Sequence, residues 1–249
     1  HPFYKPAVTF SINQSDVVTS VSESLKQGTL DIFDIHGDIE VIPNFIDAKK
    51  YSTSFTDCQR SNMATEDERI VTHISNFRKV KRIPDVIKIF SKIQLEIPSK
   101  LIMVGEGPEK EGAERLCEEL GISNKVIFLG NSNEIDKILC FSDLFLLPSE
   151  SESFGLAALE AMINKVPVIS SNAGGIPEVN TEGVSGFLSD VGDINDMAAK
   201  AITILKNDKV LERFKLNALK EAQRFDIQKV VPLYEEVYER AYKGRFKNV

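Results

Sequence analysis

Apolar and polar positions follow two different periods along the chain, and the changes between them predict its secondary structure. Short apolar runs recur at residues 70–75, 100–105, 125–130, 143–147, 167–171 and 186–189. Continuous runs of this length are typical of parallel strands that are buried on both faces. Helical periodicity between them predicts helices at residues 84–97, 109–120, 134–141, 155–164 and 177–181. We therefore predict an α/β domain with a doubly wound parallel sheet and right-handed crossovers.

The segments on either side of this regular region are less repetitive. Residues 7–15 and 23–33 predict helices, and residues 17–21 predict a strand, which cannot form a sheet alone. A short strand is predicted within residues 39–47, and a polar loop at residues 48–68. Helices are predicted at residues 195–206, 209–224 and 227–243. In the last of them, an apolar stripe is formed by Val230, Val231, Tyr234, Val237, Tyr238 and Ala241.

Composition narrows the class of protein. The 249 residues suffice for two small domains or one large one, and 42% hydrophobic with 27% charged residues is typical of a globular protein. The net charge of −7 disfavours a general nucleic-acid binder. We find no apolar run of about 20 residues and no secretory signal, so no membrane span is predicted. The chain starts at His1 without an initiator Met, so we expect it to begin within a longer protein.

The three cysteines, Cys58, Cys117 and Cys140, are widely spaced and form no CxxC pair. This odd, sparse set predicts reduced thiols and a cytoplasmic location. The histidines, His1, His36 and His73, are scattered and predict no metal site. Because His73 lies inside an apolar strand, we interpret it as a core histidine and not as a catalyst.

Ligands of doubly wound sheets bind outside the carboxyl ends of the strands. The loops there are predicted at residues 76–82, 105–112, 130–133, 148–154 and 171–175.

The stretch from Leu147 to Lys165 holds the most unusual chemistry. Glu152 precedes a predicted helix and Glu160 lies inside it, with seven residues between them. On the helical period, Glu160 falls on the core stripe with Leu156, Leu159 and Ile163, where a carboxylate needs a partner. Free amides at the helix start, at residues 154–156, can bind phosphate or sugar oxygens. The alternative is that Glu152 is a solvated loop residue and Glu160 a structural carboxylate.

Two glycine turns allow a structural or a functional interpretation. Gly105-Glu-Gly-Pro108 follows a strand, but its third glycine comes late, at Gly112, and the next strand ends at Gly130 without an acidic residue. This pattern disfavours NAD binding and favours a tight turn. Gly174-Gly175 also favours a tight connection, although its amides could approach a ligand.

A cluster of cationic side chains follows the first strand of the regular region. It consists of Arg78, Lys79, Lys81 and Arg82. One interpretation is a solvated helix start. The other is a site for an anion such as a diphosphate, because cations at a helix start otherwise oppose the helix dipole.

Together these motifs resemble the retaining glycosyltransferases of the GT-B fold, the family with an E-x7-E motif. Val41-Ile-Pro-Asn-Phe-Ile-Asp47, Val104-Gly-Glu-Gly-Pro108, Gly174-Gly-Ile-Pro-Glu178 and Gly186-Phe-Leu188 follow in family order. The resemblance covers about residues 38–243 and implies four regions. These are the end of an acceptor-binding domain at 1–37, a linker and loop at 38–68, a nucleotide-sugar-binding domain at 69–225, and a C-terminal helix at 226–249 that crosses back. We therefore predict contacts between the last helix and residues 8–25.

The resemblance also implies residue roles. Glu160 should hold the ribose hydroxyls, Glu152 the donor sugar, and Arg78 and Lys81 the diphosphate as it leaves. The implied catalytic residues are Arg78, Lys81 and Glu152. The implied donor-binding residues are Asn76, Arg78, Lys81, Gly105, Gly130, Ser153, Phe154, Gly155, Leu156 and Glu160. No metal ion or other cofactor is implied.

Within the family, Ser75-Asn-Phe-Arg-Lys-Val-Lys-Arg82 and residues 3–12 and 15–22 resemble members that transfer N-acetylglucosamine from UDP-GlcNAc to L-malate, the first step of bacillithiol synthesis. The implied partners are UDP-GlcNAc and a small hydroxy acid, with no nucleic acid and with the oligomeric state left open, a homo-oligomer included. One alternative is a related transferase with inositol phosphate or a lipid-linked glycan as acceptor. Another is a donor-binding module without activity, and we expect the chain alone to be inactive.

Overall fold

The structure, a computed structural model, describes residues 4–52, 60 and 63–245. The chain divides into two compact units, one formed by residues 1–47 with 225–249 and the other by residues 48–224. The strands are β1 (Val18–Ser20), β2 (Ile39–Val41), β3 (Arg69–Ile74), β4 (Ser99–Val104), β5 (Val126–Gly130), β6 (Leu144–Leu147), β7 (Val168–Ser171) and β8 (Gly186–Ser189). The helices are α1 (Lys5–Asn13), α2 (Glu23–Ile32), α3 (Ala48–Ser52), α4 (Ile83–Glu96), α5 (Lys110–Glu119), α6 (Ile135–Cys140), α7 (Leu156–Ile163), α8 (Ile176–Val179), α9 (Ile194–Leu205), α10 (Asp208–Ala222) and α11 (Ile227–Arg245).

The larger unit is built on one six-stranded sheet in the order β5-β4-β3-β6-β7-β8. All neighbouring strands pair in parallel, which confirms the predicted doubly wound sheet. The chain proceeds outward in one direction from β3 and in the other from β6. The strand order therefore reverses between β3 and β6, and a crevice forms there at the carboxyl ends of the strands.

Strand side chains alternate between two apolar layers. In β4, Leu101 and Met103 join the core beneath α4, α5, α9 and α10, whereas Ile102 and Val104 join the core beside α6. This alternation explains why the strands are apolar without interruption, since each face is covered by helices. The register shifts once between β4 and β5, where Phe128 pairs with Met103 but Gly130 pairs with Val104.

The predicted elements of the regular region are confirmed, with their ends shifted by one or two residues. The predicted loop at residues 48–68 was partly wrong, because α3 occupies its beginning and buries Tyr51. Residues 53–59, 61 and 62 of that loop, together with Cys58, lie outside the described residues.

The smaller unit contains β1 and β2, which form a two-stranded parallel sheet with Val18 opposite Ile39. Val230 and Val237 of α11 bury an apolar cluster with Ile42, against which Val17 and Tyr234 pack. Tyr238 was wrongly placed on the apolar stripe, since it is 69% exposed. At 100° per residue, its position lies about 80° around the helix from Val230, away from the buried face.

The cysteines differ from the prediction in one respect. Cys140 is disulfide-bonded, so the prediction of reduced thiols was wrong for this residue. Cys117 is a free, buried thiol in α5, and burial raises its pKa to about 11. A thiol with so high a pKa is a weak nucleophile at neutral pH.

Candidate donor-binding site

A cavity of about 590 Å³ opens at the carboxyl ends of β3, β4 and β5. Its walls are the loops that follow these strands, together with Glu152 and the first turns of α7. It is lined by Ile74, Ser75, Asn76, Lys81, Val104, Gly105, Asn131, Ser132, Asn133, Ile135, Glu152, Leu156, Ala157 and Glu160. The cavity thus lies where a doubly wound sheet binds its ligands.

Lys81 and Glu152 form an ion pair on one wall of the cavity. The Nζ atom of Lys81 donates to Oε1 of Glu152 at 2.5 Å, and the hydroxyl of Ser149 donates to the same oxygen at 2.9 Å. Lys81 ends a 3₁₀ turn, Lys79–Lys81, that follows the loop after β3. The two charged side chains, which are 20% and 15% exposed, therefore meet between two separate loops of the sheet.

The glycines at positions 174 and 175 fix the backbone of Glu152. A Cβ atom on Gly174, which has φ of +58°, would lie 2.0 Å from the carbonyl oxygen of Glu152. The amide of Gly175 donates to that same oxygen at 2.8 Å. The interpretation of this motif as a tight connection is confirmed, and the connection also holds Glu152 in place.

Glu160 faces the cavity and not the core. Leu156, one helical turn earlier, is 47% exposed and lines the same cavity, whereas Leu159 and Ile163 are buried. The predicted core stripe was therefore wrong for Leu156 and Glu160, because residues four apart share a helix face and this face lines the cavity. Burial raises the pKa of the Glu160 carboxyl, Asp136 raises it further, and Lys50 partly lowers it.

Helix α7 begins one residue later than predicted. Gly155 adopts the left-handed conformation, with φ of +100°, and the helix starts at Leu156 and not at residue 155. The side chain of Phe154 is buried, and among Ser153, Phe154, Gly155 and Leu156 only Leu156 lines the cavity. The first two residues of the helix, Leu156 and Ala157, line the cavity, and their amides have no partner within the helix.

The cation cluster separates into different environments. Lys81 is the member that lines the cavity, while Arg78 and Lys79 are exposed outside it. Arg82 binds Asp85, with its Nε atom 2.5 Å from Oδ2, and has a positive φ of +53°. The sequence grouped these side chains because they are adjacent, but the 3₁₀ turn directs them differently.

The Gly-x-Gly turn after β4 is a tight turn, as predicted, and its glycines allow close packing of the backbone. A Cβ atom on Gly105 would lie 1.8 Å from the carbonyl oxygen of Ser75, and one on Gly107 would lie 2.5 Å from that of Phe77. Gly105 also lines the cavity, whereas Gly130 does not. Because Gly105 and Gly107 have no side chains, the loops after β3 and β4 can stay in contact.

Sequence reasoning missed several cavity residues. Ser75 and the polar run Asn131-Ser-Asn133 line the cavity, although only the loop containing the run was noted. Their position in the sequence could have identified them, because Ser75 directly follows β3 and the run directly follows β5. His73, in contrast, is fully buried and hydrogen-bonded, as predicted for a core histidine.

The described residues contain neither a metal-ligand cluster nor a helix that could cross a membrane. Within that part of the chain, no three His, Cys, Asp or Glu side chains are grouped so that they could hold a metal ion. Likewise, none of the helices described there is both long and apolar enough to cross a membrane.

Comparison with known proteins identifies the family. Residues 55–221 match the family described as Glycosyl transferases group 1, so the chain belongs to this family of glycosyltransferases. Its fold is that of the GT-B glycosyltransferases. The structure of the Anabaena protein Alr3699/HepE in complex with UDP aligns with 94% of this chain and 66% of its own, at a TM-score of 0.83 and 26% identity.

Two curated relatives match more than two thirds of this chain. The chain is 41% identical to N-acetyl-alpha-D-glucosaminyl L-malate synthase of Bacillus anthracis over 95% of this chain and 63% of the relative. It is 30% identical to D-inositol 3-phosphate glycosyltransferase of Mycolicibacterium smegmatis over 68% of this chain and 40% of the relative. The chain thus spans less than two thirds of the length of either relative.

Proposed function

We propose that the full-length protein transfers N-acetylglucosamine from UDP-GlcNAc to the hydroxyl of L-malate with retention of configuration, the first step of bacillithiol synthesis. The observation that carries the proposal is the cavity, which places Lys81, Glu152 and Glu160 together at the carboxyl ends of the sheet. The 41% identity to the malate synthase supports the choice of substrates. In this proposal the chain supplies the donor site.

The charged residues of the cavity have roles that suit a nucleotide sugar. The Lys81 ammonium neutralises the diphosphate as it leaves, and the amides of Leu156 and Ala157 add hydrogen-bond donors at a helix start. Glu160 accepts hydrogen bonds from the ribose hydroxyls, and Glu152 from the donor sugar. With the diphosphate balanced in this way, the proposed reaction needs no metal cofactor. Arg78 is exposed outside the cavity, and no role is assigned to it.

Retention follows a same-face route. The bond between sugar C1 and the diphosphate oxygen breaks, and the malate hydroxyl oxygen forms the new bond to C1 on the same face. The hydroxyl proton passes to the departing phosphate oxygen, so UDP is the second product. Neither carboxylate attacks the sugar in this scheme, because both are assigned to hydroxyl binding, unlike the paired carboxylates of glycoside hydrolases.

A second candidate is a transferase that uses the same donor site with an inositol phosphate acceptor. The 30% identity to the D-inositol 3-phosphate glycosyltransferase favours it. A third is a module that binds the donor without transferring the sugar. The donor cavity is common to all three, so the acceptor must separate them.

The decisive experiment offers UDP-GlcNAc to the full-length protein with L-malate or with inositol 3-phosphate. Mass spectrometry of the products and NMR of the anomeric proton identify the acceptor and the configuration. An α-linked malate product supports the proposal, whereas product from inositol 3-phosphate alone favours the second candidate. UDP binding by calorimetry with no product from either acceptor favours the third.

The role of Glu152 is tested by Glu152→Gln. Because it touches the sugar in the proposal and not the nucleotide, kcat should fall more than UDP affinity does. An equal loss of both would make Glu152 a structural residue.

A further inference from the structure

The buried histidine His73 is hydrogen-bonded to Ser75, a cavity residue to which no role has been assigned. The Nδ1 atom of His73 lies 2.8 Å from the carbonyl oxygen of Leu146, and its Nε2 atom lies 2.7 Å from the hydroxyl of Ser75. His73 is fully buried, whereas Ser75 lines the cavity. The imidazole therefore connects the interior of β6 to the cavity wall.

The two partners of His73 determine where the hydrogens lie. A carbonyl oxygen can only accept, so Nδ1 carries the hydrogen and donates to Leu146. Burial lowers the pKa of His73 to about 4, so the ring is neutral near pH 7. In the neutral ring, Nε2 is an acceptor, and the Ser75 hydroxyl must donate to it. The single hydroxyl hydrogen of Ser75 is therefore bonded to His73. The lone pairs on Oγ remain able to accept a hydrogen bond from a ligand in the cavity.

The backbone holds Ser75 in this position. Its amide donates to the carbonyl oxygen of Val104 at 3.1 Å. Its own carbonyl oxygen lies so close to Gly105 that a Cβ atom there would be 1.8 Å away. Ser75 therefore cannot move away from β4 without breaking its amide bond to Val104, and it cannot turn its hydroxyl hydrogen to a ligand without breaking the bond to His73.

We propose that Ser75, positioned by His73, is a specificity-determining hydrogen-bond acceptor that binds an O–H or N–H group of the nucleotide sugar and disfavours a phosphate oxygen at this point. The inference rests on the proposed function, since it assumes that a nucleotide sugar occupies the cavity. A phosphate oxygen would place negative charge against the Oγ lone pairs, whereas the Lys81 ammonium, which lines the same cavity, offers it a cation. With Glu152 and Glu160, Ser75 makes the cavity rich in acceptors, which suits a ligand with many hydroxyl groups.

The experiment compares wild-type protein with Ser75→Ala by calorimetry. The probes are UDP-GlcNAc, UDP, and analogues that lack one ribose or sugar hydroxyl each. In the wild type, one analogue should bind about tenfold more weakly than its parent, because Ser75 loses its donor. In Ser75→Ala, parent and analogue should bind alike, since the acceptor itself is absent. Ser75→Gly, which also lacks the hydroxyl, should repeat this loss of discrimination if Ser75→Ala fails to fold.

His73→Gln tests the positioning role. Its amide can donate to Leu146 but does not reproduce the imidazole acceptor at Ser75, so discrimination should fall while UDP affinity changes little. Ser91→Ala is the matched control, because the Ser91 hydroxyl also bonds to a protein acceptor, the carbonyl of Lys88, at 2.8 Å but does not line the cavity.

The outcomes separate the inference from the proposed function. If the wild type binds UDP-GlcNAc and its discrimination among the analogues is the same in Ser75→Ala, the inference is overturned and the donor site stands. If the wild type binds neither UDP nor UDP-GlcNAc, the proposed function fails and the inference fails with it. Discrimination that disappears in Ser75→Ala and persists in Ser91→Ala supports the inference.

Discussion

The Lys81 ammonium and the Glu152 carboxylate lie 2.5 Å apart, although 71 positions separate them in the sequence. Neither side chain is more than one fifth exposed to solvent. A partly buried charge that loses its partner pays a desolvation cost that it does not pay in water. The pair therefore holds both side chains on the cavity wall, and a ligand phosphate that binds Lys81 competes with Glu152 for the ammonium.

The first prediction concerns this lysine. Lys81→Ala should weaken UDP binding by about 1.5–3 kcal/mol, the usual cost of losing a charged hydrogen-bond partner. Lys79→Ala is the control, because Lys79 belongs to the same 3₁₀ turn but is exposed outside the cavity. Calorimetry with UDP measures both variants. Equal affinities in the two would remove Lys81 from the donor site.

The second prediction uses the raised pKa of Glu160. A carboxyl whose pKa is higher in the folded state than the ordinary value of 4.5 binds its proton more tightly when folded. Its contribution to stability is therefore present below pH 4.5 and is lost as pH rises through the raised pKa. Glu160→Gln removes the ionising group, so it should raise the melting temperature near pH 7 and leave it unchanged in acid.

Thermal unfolding of wild type and Glu160→Gln across this pH range checks the sign. Glu150→Gln serves as the control, since Glu150 is exposed and does not line the cavity. A stabilisation by Glu160→Gln that is the same at all pH values would mean that ionisation of Glu160 is not its cause.

The third prediction concerns His73, whose pKa is about 4 in the fold against 6.5 in the unfolded chain. As pH falls below 6.5, the unfolded state binds a proton that the folded state does not, so stability falls. The loss between pH 7 and pH 4 should be about 3 kcal/mol at most. His73→Gln should lack this loss, as denaturant unfolding at several pH values can show.

Asn180→Leu is the matched control for His73→Gln. Asn180 is buried and donates to the carbonyl of Val168 and to the hydroxyl of Ser170, so its loss should destabilise the fold. It contains no titrating group, and the destabilisation should therefore be independent of pH. If the pH slope of His73→Gln matches that of the wild type, another group causes the acid sensitivity.

The fourth prediction concerns the glycine beneath Glu152. Gly174→Ala places a Cβ atom against the Glu152 carbonyl at a positive φ, so the loop must shift. We expect a loss of stability and weaker donor binding, because the Glu152 carboxylate moves with its backbone. Gly112→Ala is the control, since Gly112 lies inside α5 with open space around it and should gain about 0.5–1 kcal/mol. Unchanged UDP-GlcNAc affinity in Gly174→Ala would contradict the support role.

The fold was predictable because its signals are local and repeated. Each strand of the larger sheet is an apolar run between helical periods, and such runs survive small errors in their ends. The N-terminal end of α7, which lies at the cavity, was less predictable. Phe154 continues the apolar period of the helix, but Gly155 takes the left-handed conformation and the helix starts after it. Hydrophobicity alone could not show this, since Phe154 is buried in either case.

The site was predictable in part, for a different reason. Glu152, Glu160 and Lys81 belong to motifs that the sequence displays, and the cavity brings them together. Leu156 was assigned to the core because periodicity gives the spacing of a stripe but not the surface that covers it. Ser75 was missed because its chemistry depends on His73, whose partner Leu146 lies on another strand.

The register shift in β5 makes the position of this cavity wall independent of strand length. Gly130 pairs with Val104 where Leu129 would stand in an unbroken ladder, so β5 holds one residue more than the strand beside it over the same length. Because the irregularity absorbs that residue, the run Asn131-Ser-Asn133 starts where an unbroken ladder would also place it. Deleting Leu129 should therefore remove the irregularity and leave the run at the cavity mouth. The wall is thus positioned by the pairing of Gly130 with Val104 and not by the number of residues before it.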